Sequence, residues 1–215
     1  MKKIISLLLF VSILGNSQTS EFDNYELPGI GYISIPNNME QQTGVVKKLK
    51  EKISKELSKK FNYTTPNEII VFQQKGLNDL DKNAFSTYSR IRITTDIGSL
   101  GDYKKLDDTL IFTEEELKKI NNSYKEQVKS VLEKIGGKLI DWKGFSLIKI
   151  NGFDVMKITY VRKLNNRPDV IVNIHKIQNN DRMYTITFSH RVEDLKIWNH
   201  LFDKTINSLQ IMNIK

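Results

Sequence analysis

The stretch from Leu139 to Arg191 constrains the fold more than any other part of the chain. Four segments, Leu139–Ile150, Phe153–Arg162, Asp169–Ile177 and Arg182–Arg191, alternate apolar and polar side chains and are separated by short runs of Asn, Asp, Gly and Pro. Alternation with period two marks strands with two distinct faces, and short polar turns join antiparallel neighbours. Gly144 interrupts the first segment and reads as a bulge. A segment with Leu195, Trp198, Phe202, Ile206 and Leu209 at helical spacing follows, from about Val192 to Leu209. An antiparallel meander closed by a helix belongs to the α+β class.

Turn chemistry gives an expected register. A three-residue turn over Asn179, Asn180 and Asp181 sets Ile174 opposite Ile186 and Val172 opposite Phe188. A five-residue loop from Lys163 to Arg167 sets Ile158 opposite Val172 and Tyr160 opposite Val170. One face would then carry Met156, Ile158, Tyr160, Val170, Val172, Ile174, Tyr184, Ile186 and Phe188 as a core. The other, with Val155, Val161, Ile171, Ile177 and Met183 among Lys157, Thr159, Asn173, His175, Thr185 and Thr187, is too apolar to be fully solvated. The expected fold is therefore an antiparallel sheet with helices on both faces, an α/β/α sandwich.

Upstream, Thr113–Ile135 is the clearest helix. Thr113 and Glu116 form a capping box, Glu114 and Glu115 sit at the positive end of the dipole, and Gly136 and Gly137 stop the helix. Leu117, Ile120, Tyr124, Val128, Val131 and Ile135 form the expected buried stripe. Gly31–Pro36, Glu68–Gln74 and Tyr88–Thr95 read as short strands, and Thr43–Phe61, with Val46, Leu49, Ile53, Leu57 and Phe61, as an amphipathic helix.

The first residues have a different character. Lys2 and Lys3 precede an apolar run, Ile4–Leu14, and Gly15 and Ser17 stand where a signal peptidase needs small residues. A helix of that length spans roughly 17 Å, against the roughly 30 Å of a bilayer core. Residues 1–17 are thus expected to be a signal peptide, with cleavage before Gln18, and 18–215 a single α+β domain without a transmembrane segment. The chain has no cysteine, which excludes a lipobox anchor, disulfides, thiolate zinc sites and thiol nucleophiles. The expected location is periplasmic or secreted, and not that of a lipoprotein.

Catalytic chemistry finds little purchase. The three histidines, His175, His190 and His200, are not spaced to share a metal, and no GxSxG elbow occurs. Asp141, Asp154 and Glu193 are carboxylates of the kind a hydrolase pairs across a cleft, but no motif joins them. Asp79, Asp81, Asp102, Asp107 and Asp108 suit turns and helix caps better than a calcium loop. The formal charge of +8 rests largely on helical lysines. No basic-aromatic motif points to nucleic acid. Arg90 and Arg92 alternate with Ile91 and Ile93, so both arginines share one strand face. Beside the second face of the meander they would join Lys157 and His175 in a basic, hydroxyl-rimmed patch, a candidate site for an acidic partner.

The order of segments, with GYISIP at Gly31–Pro36, NGFDVMKITYVR at Asn151–Arg162, DRMYTITFSH at Asp181–His190 and WNHLFDKTINSL at Trp198–Leu209, resembles the PsbP-like family, which includes exported bacterial members. The lysine-rich stretch Thr43–Phe61 departs from that pattern. The resemblance implies a non-enzymatic binding or assembly module and carries over no catalytic residue. The expected function is that of an exported, non-catalytic protein that binds an acidic protein or envelope component, with no cofactor or metal. The alternative is an envelope hydrolase with a carboxylate-based site.

Overall fold

Alternating segments pair into sheets and the amphipathic segments cover them. A computed structural model of the protein describes residues 21–44, 47–49, 52, 56, 68–106 and 112–211. The signal-peptide segment lies outside the described residues, as does most of the helix expected over Thr43–Phe61. Leu49, placed on that helix's buried stripe by its spacing, is 57% exposed; the other members of the stripe lie outside the described residues.

The strands are β1 (Phe22–Leu27), β2 (Gly31–Pro36), β3 (Met39–Gln41), β4 (Glu68–Gln74), β5 (Ser89–Ile97), β6 (Gly137–Ile150), β7 (Phe153–Leu164), β8 (Val170–Asn179), β9 (Arg182–Arg191) and β10 (Gln210–Ile211). Helix α1 spans Glu114–Lys134, and α2 spans Leu195–Asn207. Short 3-10 turns occupy Lys82–Phe85 and Val192–Asp194. Seven strands form the main sheet in the order β3-β4-β5-β9-β8-β7-β6, with every pairing antiparallel. A second sheet, β1-β2-β10, lies apart from it. Its two flanking strands are too short or too polar to announce themselves in the sequence.

Helices cover both faces of the main sheet. On the first face, Tyr124 of α1 stacks on Phe145 at 5.6 Å and points its hydroxyl at Met156 Sδ. On the second, Trp198 and Phe202 of α2 pack over Phe188 and His190. The small sheet shares this second face: Tyr25 meets Phe72 edge-on at 4.8 Å, and the Tyr184 hydroxyl donates to Gly29 O. The main core, with Ile33, Ile35, Phe72, Ile91, Ile93, Tyr184, Ile186 and Phe188 all nearly inaccessible, fills the space between them.

α1 starts as the sequence requires, with both halves of the Thr113–Glu116 capping box formed. Its stripe differs at the end. Val131 and Ile135 are exposed and Leu132 is buried, because the packed positions Ile120, Tyr124, Val128 and Leu132 follow four-residue steps along the line of β6. Leu195 is likewise exposed, since the chain is still in its 3-10 turn before it and α2 enters the core only at Trp198. Gly144, at φ 121°, occupies a register shift in β6, and a second shift falls between Leu139 and Asp141. Asn121 of α1 holds this bulged region, accepting from Trp142 Nε1 and Phe145 N, both at 3.0 Å.

The meander register differs from expectation in two places. Asn179 pairs with Arg182, so the β8–β9 turn has two residues, Asn180 and Asp181. Asn180 takes a left-handed conformation with φ 66°. Asparagine tolerates that conformation. The Asn180 backbone also pairs with Tyr103, which holds the tight turn from outside. Ile186 therefore faces His175, and Phe188 faces Asn173. A slip of one residue moves a whole side-chain set, so Tyr184, Ile186 and Phe188 lie on the opposite face from Ile158, Val172 and Ile174. Between β7 and β8 the shift is two residues, pairing Ile158 with Ile174, because β6 holds Lys163 and Leu164 in β7 after β8 has left it. A two-residue shift leaves the faces unchanged.

Candidate functional site

The corrected register determines which charges meet. On the first face β9 presents a row of hydroxyls, Thr185, Thr187 and Ser189, with β5 on one side and β8 on the other. Arg90 pairs with Ser189, and Arg92 with Thr187. Across the row, Lys176 pairs with Thr185. The result is a strip of hydroxyls flanked by two guanidiniums and one ammonium, beside the edge of α1. The Tyr88 hydroxyl lies 3.3 Å from Ser189 Oγ and extends the row. Lys176 Nζ stands 5.4 Å from the centre of the Tyr124 ring, and burial lowers its pKa, with Asp96 opposing. Arg90 Nε is buried without a hydrogen-bond partner. Such a strip can hold a carboxylate or phosphate: the guanidiniums offer planar donor forks and the hydroxyls single donors.

Of the four residues picked from the sequence, Arg90 and Arg92 belong to this strip. Lys157 and His175 are cross-strand partners of each other on the opposite face. The strip gains Lys176, Ser189 and Tyr88, which sequence reading missed. Only the length of the Asn180–Asp181 turn could have revealed them, because that length decides whether Thr185 and Thr187 share a face with His175 or with Lys176.

His175 is buried, with Nδ1 unpartnered and its ring edge-on to Phe188 at 5.6 Å. Burial chiefly, and then the Lys157 charge, bring its pKa down to about 4, against a backbone hydrogen bond at Ile186 that raises it. His190 is fully buried, and burial lowers its pKa too, opposed by the Arg191 carbonyl and Asp194. Both folded-state values lie below the unfolded value. The unfolded chain therefore takes up protons first as pH falls, and stability present above about pH 6.5 is lost on the way down to about pH 4. Chemical denaturation at about pH 7.5 and about pH 5 should differ by on the order of 2 kcal/mol, and His175→Phe should remove much of the difference. Equal stability at the two pH values would contradict the burial of these rings as neutral groups.

Asp141, Asp154 and Glu193 each lie beside a cation, Lys143, Lys149 and Arg191 respectively. They do not face one another: Asp154 pairs with Lys149, near the opposite end of β6 from Asp141. Asp81 caps the turn at Asn83, and Asp102 accepts from Ser99 N. Among the described residues no three His, Cys, Asp or Glu side chains converge as a metal site requires, and no helix is long and apolar enough to cross a membrane.

The seven-stranded antiparallel sheet with a helix on each face and a small second sheet is a PsbP-like fold. The chain is similar in structure to the cyanobacterial PsbP of Synechocystis sp. PCC 6803, with a TM-score of 0.50 and 10% sequence identity over 94% of this chain and 99% of that one. It also aligns with a Bacteroides thetaiotaomicron protein (TM-score 0.47, 10% identity, 90% of this chain), of which it spans about half, 49%. A Pseudomonas aeruginosa protein of unknown function aligns with a TM-score of 0.43 and 11% identity over 90% of this chain and 99% of that one. No protein-family model matches the chain, and no curated protein matches it in sequence.

Proposed function

We propose that this is an exported, non-catalytic binding or assembly protein of the cell envelope or secreted space, and that the strip of Arg90, Arg92 and Lys176 around the β9 hydroxyls receives an acidic group of its partner. The observation that carries this reading is the buried, unpartnered Nε of Arg90 beside that hydroxyl row. A buried donor without an acceptor costs about 1–3 kcal/mol, which a carboxylate or phosphate from outside would recover. The charges of Lys2 and Lys3, the apolar run after them and the small residues at Gly15 and Ser17 support export.

Two measurements test this reading. Native protein analysed by mass spectrometry should begin at or within two residues of Gln18, and an intact Met1 would remove the export claim. Capture of a partner from the native envelope fraction by the immobilised protein should weaken as salt rises, since exposed charges are screened beyond about 8 Å at physiological ionic strength. Capture indifferent to salt would mean that the contact is not this strip.

A further inference from the structure

A cleft of about 680 Å³ opens at the other side of the molecule, between β1, β2 and the end of α2. It is an open hollow and not an enclosed pocket, so a ligand there would stay partly in water. The lining is unusual for this chain. Charged residues make up 27% of the sequence, yet none of the nine residues around the cleft is charged. Six are neutral and polar: Asn24, Ser34, Asn151, Asn207, Ser208 and Gln210. Phe153, Leu209 and Ile211 supply the apolar remainder, with one aromatic ring.

Long-range hydrogen bonds fix the walls. Ser34 N donates to Ser208 Oγ at 2.8 Å, tying β2 to the end of α2. Asn151 Nδ2 donates to Asn207 O at 2.8 Å and to Leu209 O at 2.7 Å, tying the β6–β7 turn to the same place. Asn151 holds this position in a left-handed conformation with φ 49°. Asparagine visits that region at little cost. Ser34 Oγ donates to Asn24 Oδ1 at 2.7 Å, which orients that amide. These bonds use one end of each amide: Asn151 keeps its Oδ1 as an acceptor, and Asn24 keeps its Nδ2 as a donor. A site held in this way loses little entropy when a ligand enters.

We infer that this cleft binds a neutral, polyhydroxylated ligand, an oligosaccharide without charged groups. Among the described residues an anion finds no cation in the lining, and a cation finds no carboxylate. A wholly apolar ligand would strand the amides without partners, at a cost in free energy. A sugar hydroxyl both donates and accepts, and neighbouring hydroxyls match an amide that does the same at its two ends. Phe153, partly buried against the core, adds apolar surface to the lining. The cleft shares no residue with the arginine strip, so either can stand without the other.

The test is a titration of the full mature chain, labelled for NMR, with maltotetraose, cellotetraose and chitotetraose in separate arms. At least one sugar is expected to shift the side-chain amides of Asn24, Asn151 and Gln210 with saturation near a Kd of about 1 mM, as suits an open site. The near-isosteric double change Asn207→Asp with Gln210→Glu removes two amide donors at the rim and should weaken binding by about tenfold, the loss of about one neutral hydrogen bond. Arg90→Glu with Arg92→Glu should leave the titration unchanged. If none of the three sugars moves these amides at about ten times that concentration, or if the rim variant binds as tightly as the parent, the inference is overturned.

Discussion

Trp198→Ala is expected to lower the stability of the folded chain by about 3–5 kcal/mol, the range for deleting a large aromatic side chain from a core. Two losses combine. The side chain is only 2% exposed and stacks on Phe202 at 5.7 Å, and Phe202 lies 5.0 Å from Phe188 of the main sheet, so its removal opens a cavity between α2 and β9. The indole also ends a polar chain. Trp198 Nε1 donates to Thr87 Oγ1 at 2.9 Å, and Thr87 donates to Asp194 Oδ2 at 2.7 Å, which also accepts from Tyr88 N. That chain links the start of α2 to the residues just before β5. Trp198→Phe keeps one aromatic ring but loses the rest of the indole with its N–H, so it should cost less, about 1–3 kcal/mol. Urea denaturation of the two variants separates the contributions. A loss below about 1 kcal/mol for Trp198→Ala would mean that α2 does not anchor the second face.

The sequence carried local structure further than long-range pairing. β2, β4 and β9 occupy the residues that alternation assigned them, and the cap of α1 forms as Thr113 and Glu116 require. These features depend on neighbours within a few residues. The second sheet did not show itself, because β1 places polar residues at Asp23, Asn24 and Glu26, and β10 is only two residues long. GYISIP alternates as a strand should, but nothing in it says which sheet it joins. The candidate site was half legible for the same reason. Arg90 and Arg92 share a face because they stand two apart in one strand. Their neighbours depend on β9 and β8, and so on whether the turn at Asn180 has two residues or three. Asn180 in that turn also bridges to Tyr103, a long-range pairing that no local pattern encodes.

The double charge reversal Arg90→Glu with Arg92→Glu should abolish capture of an acidic partner and leave the fold in place. Both arginines are partly exposed on the first face, while the isoleucines that alternate with them, Ile91 and Ile93, stay in the core on the other. Both side chains are half-buried and Arg90 Nε is fully so, which makes the thermal midpoint a necessary control beside the capture. The change turns two fixed positive charges into two negative ones beside the β9 hydroxyls, so an acidic group meets repulsion where it met donors. Lys176, across the hydroxyl row, does not compensate, because a single ammonium cannot reproduce a planar fork. The direct measurement is capture from the envelope fraction by the parent and by the double variant, at matched concentration and low salt, with the thermal midpoint of both recorded. Loss of capture at an unchanged midpoint is expected; undiminished capture by the folded double variant would contradict the assignment of this strip as the contact surface.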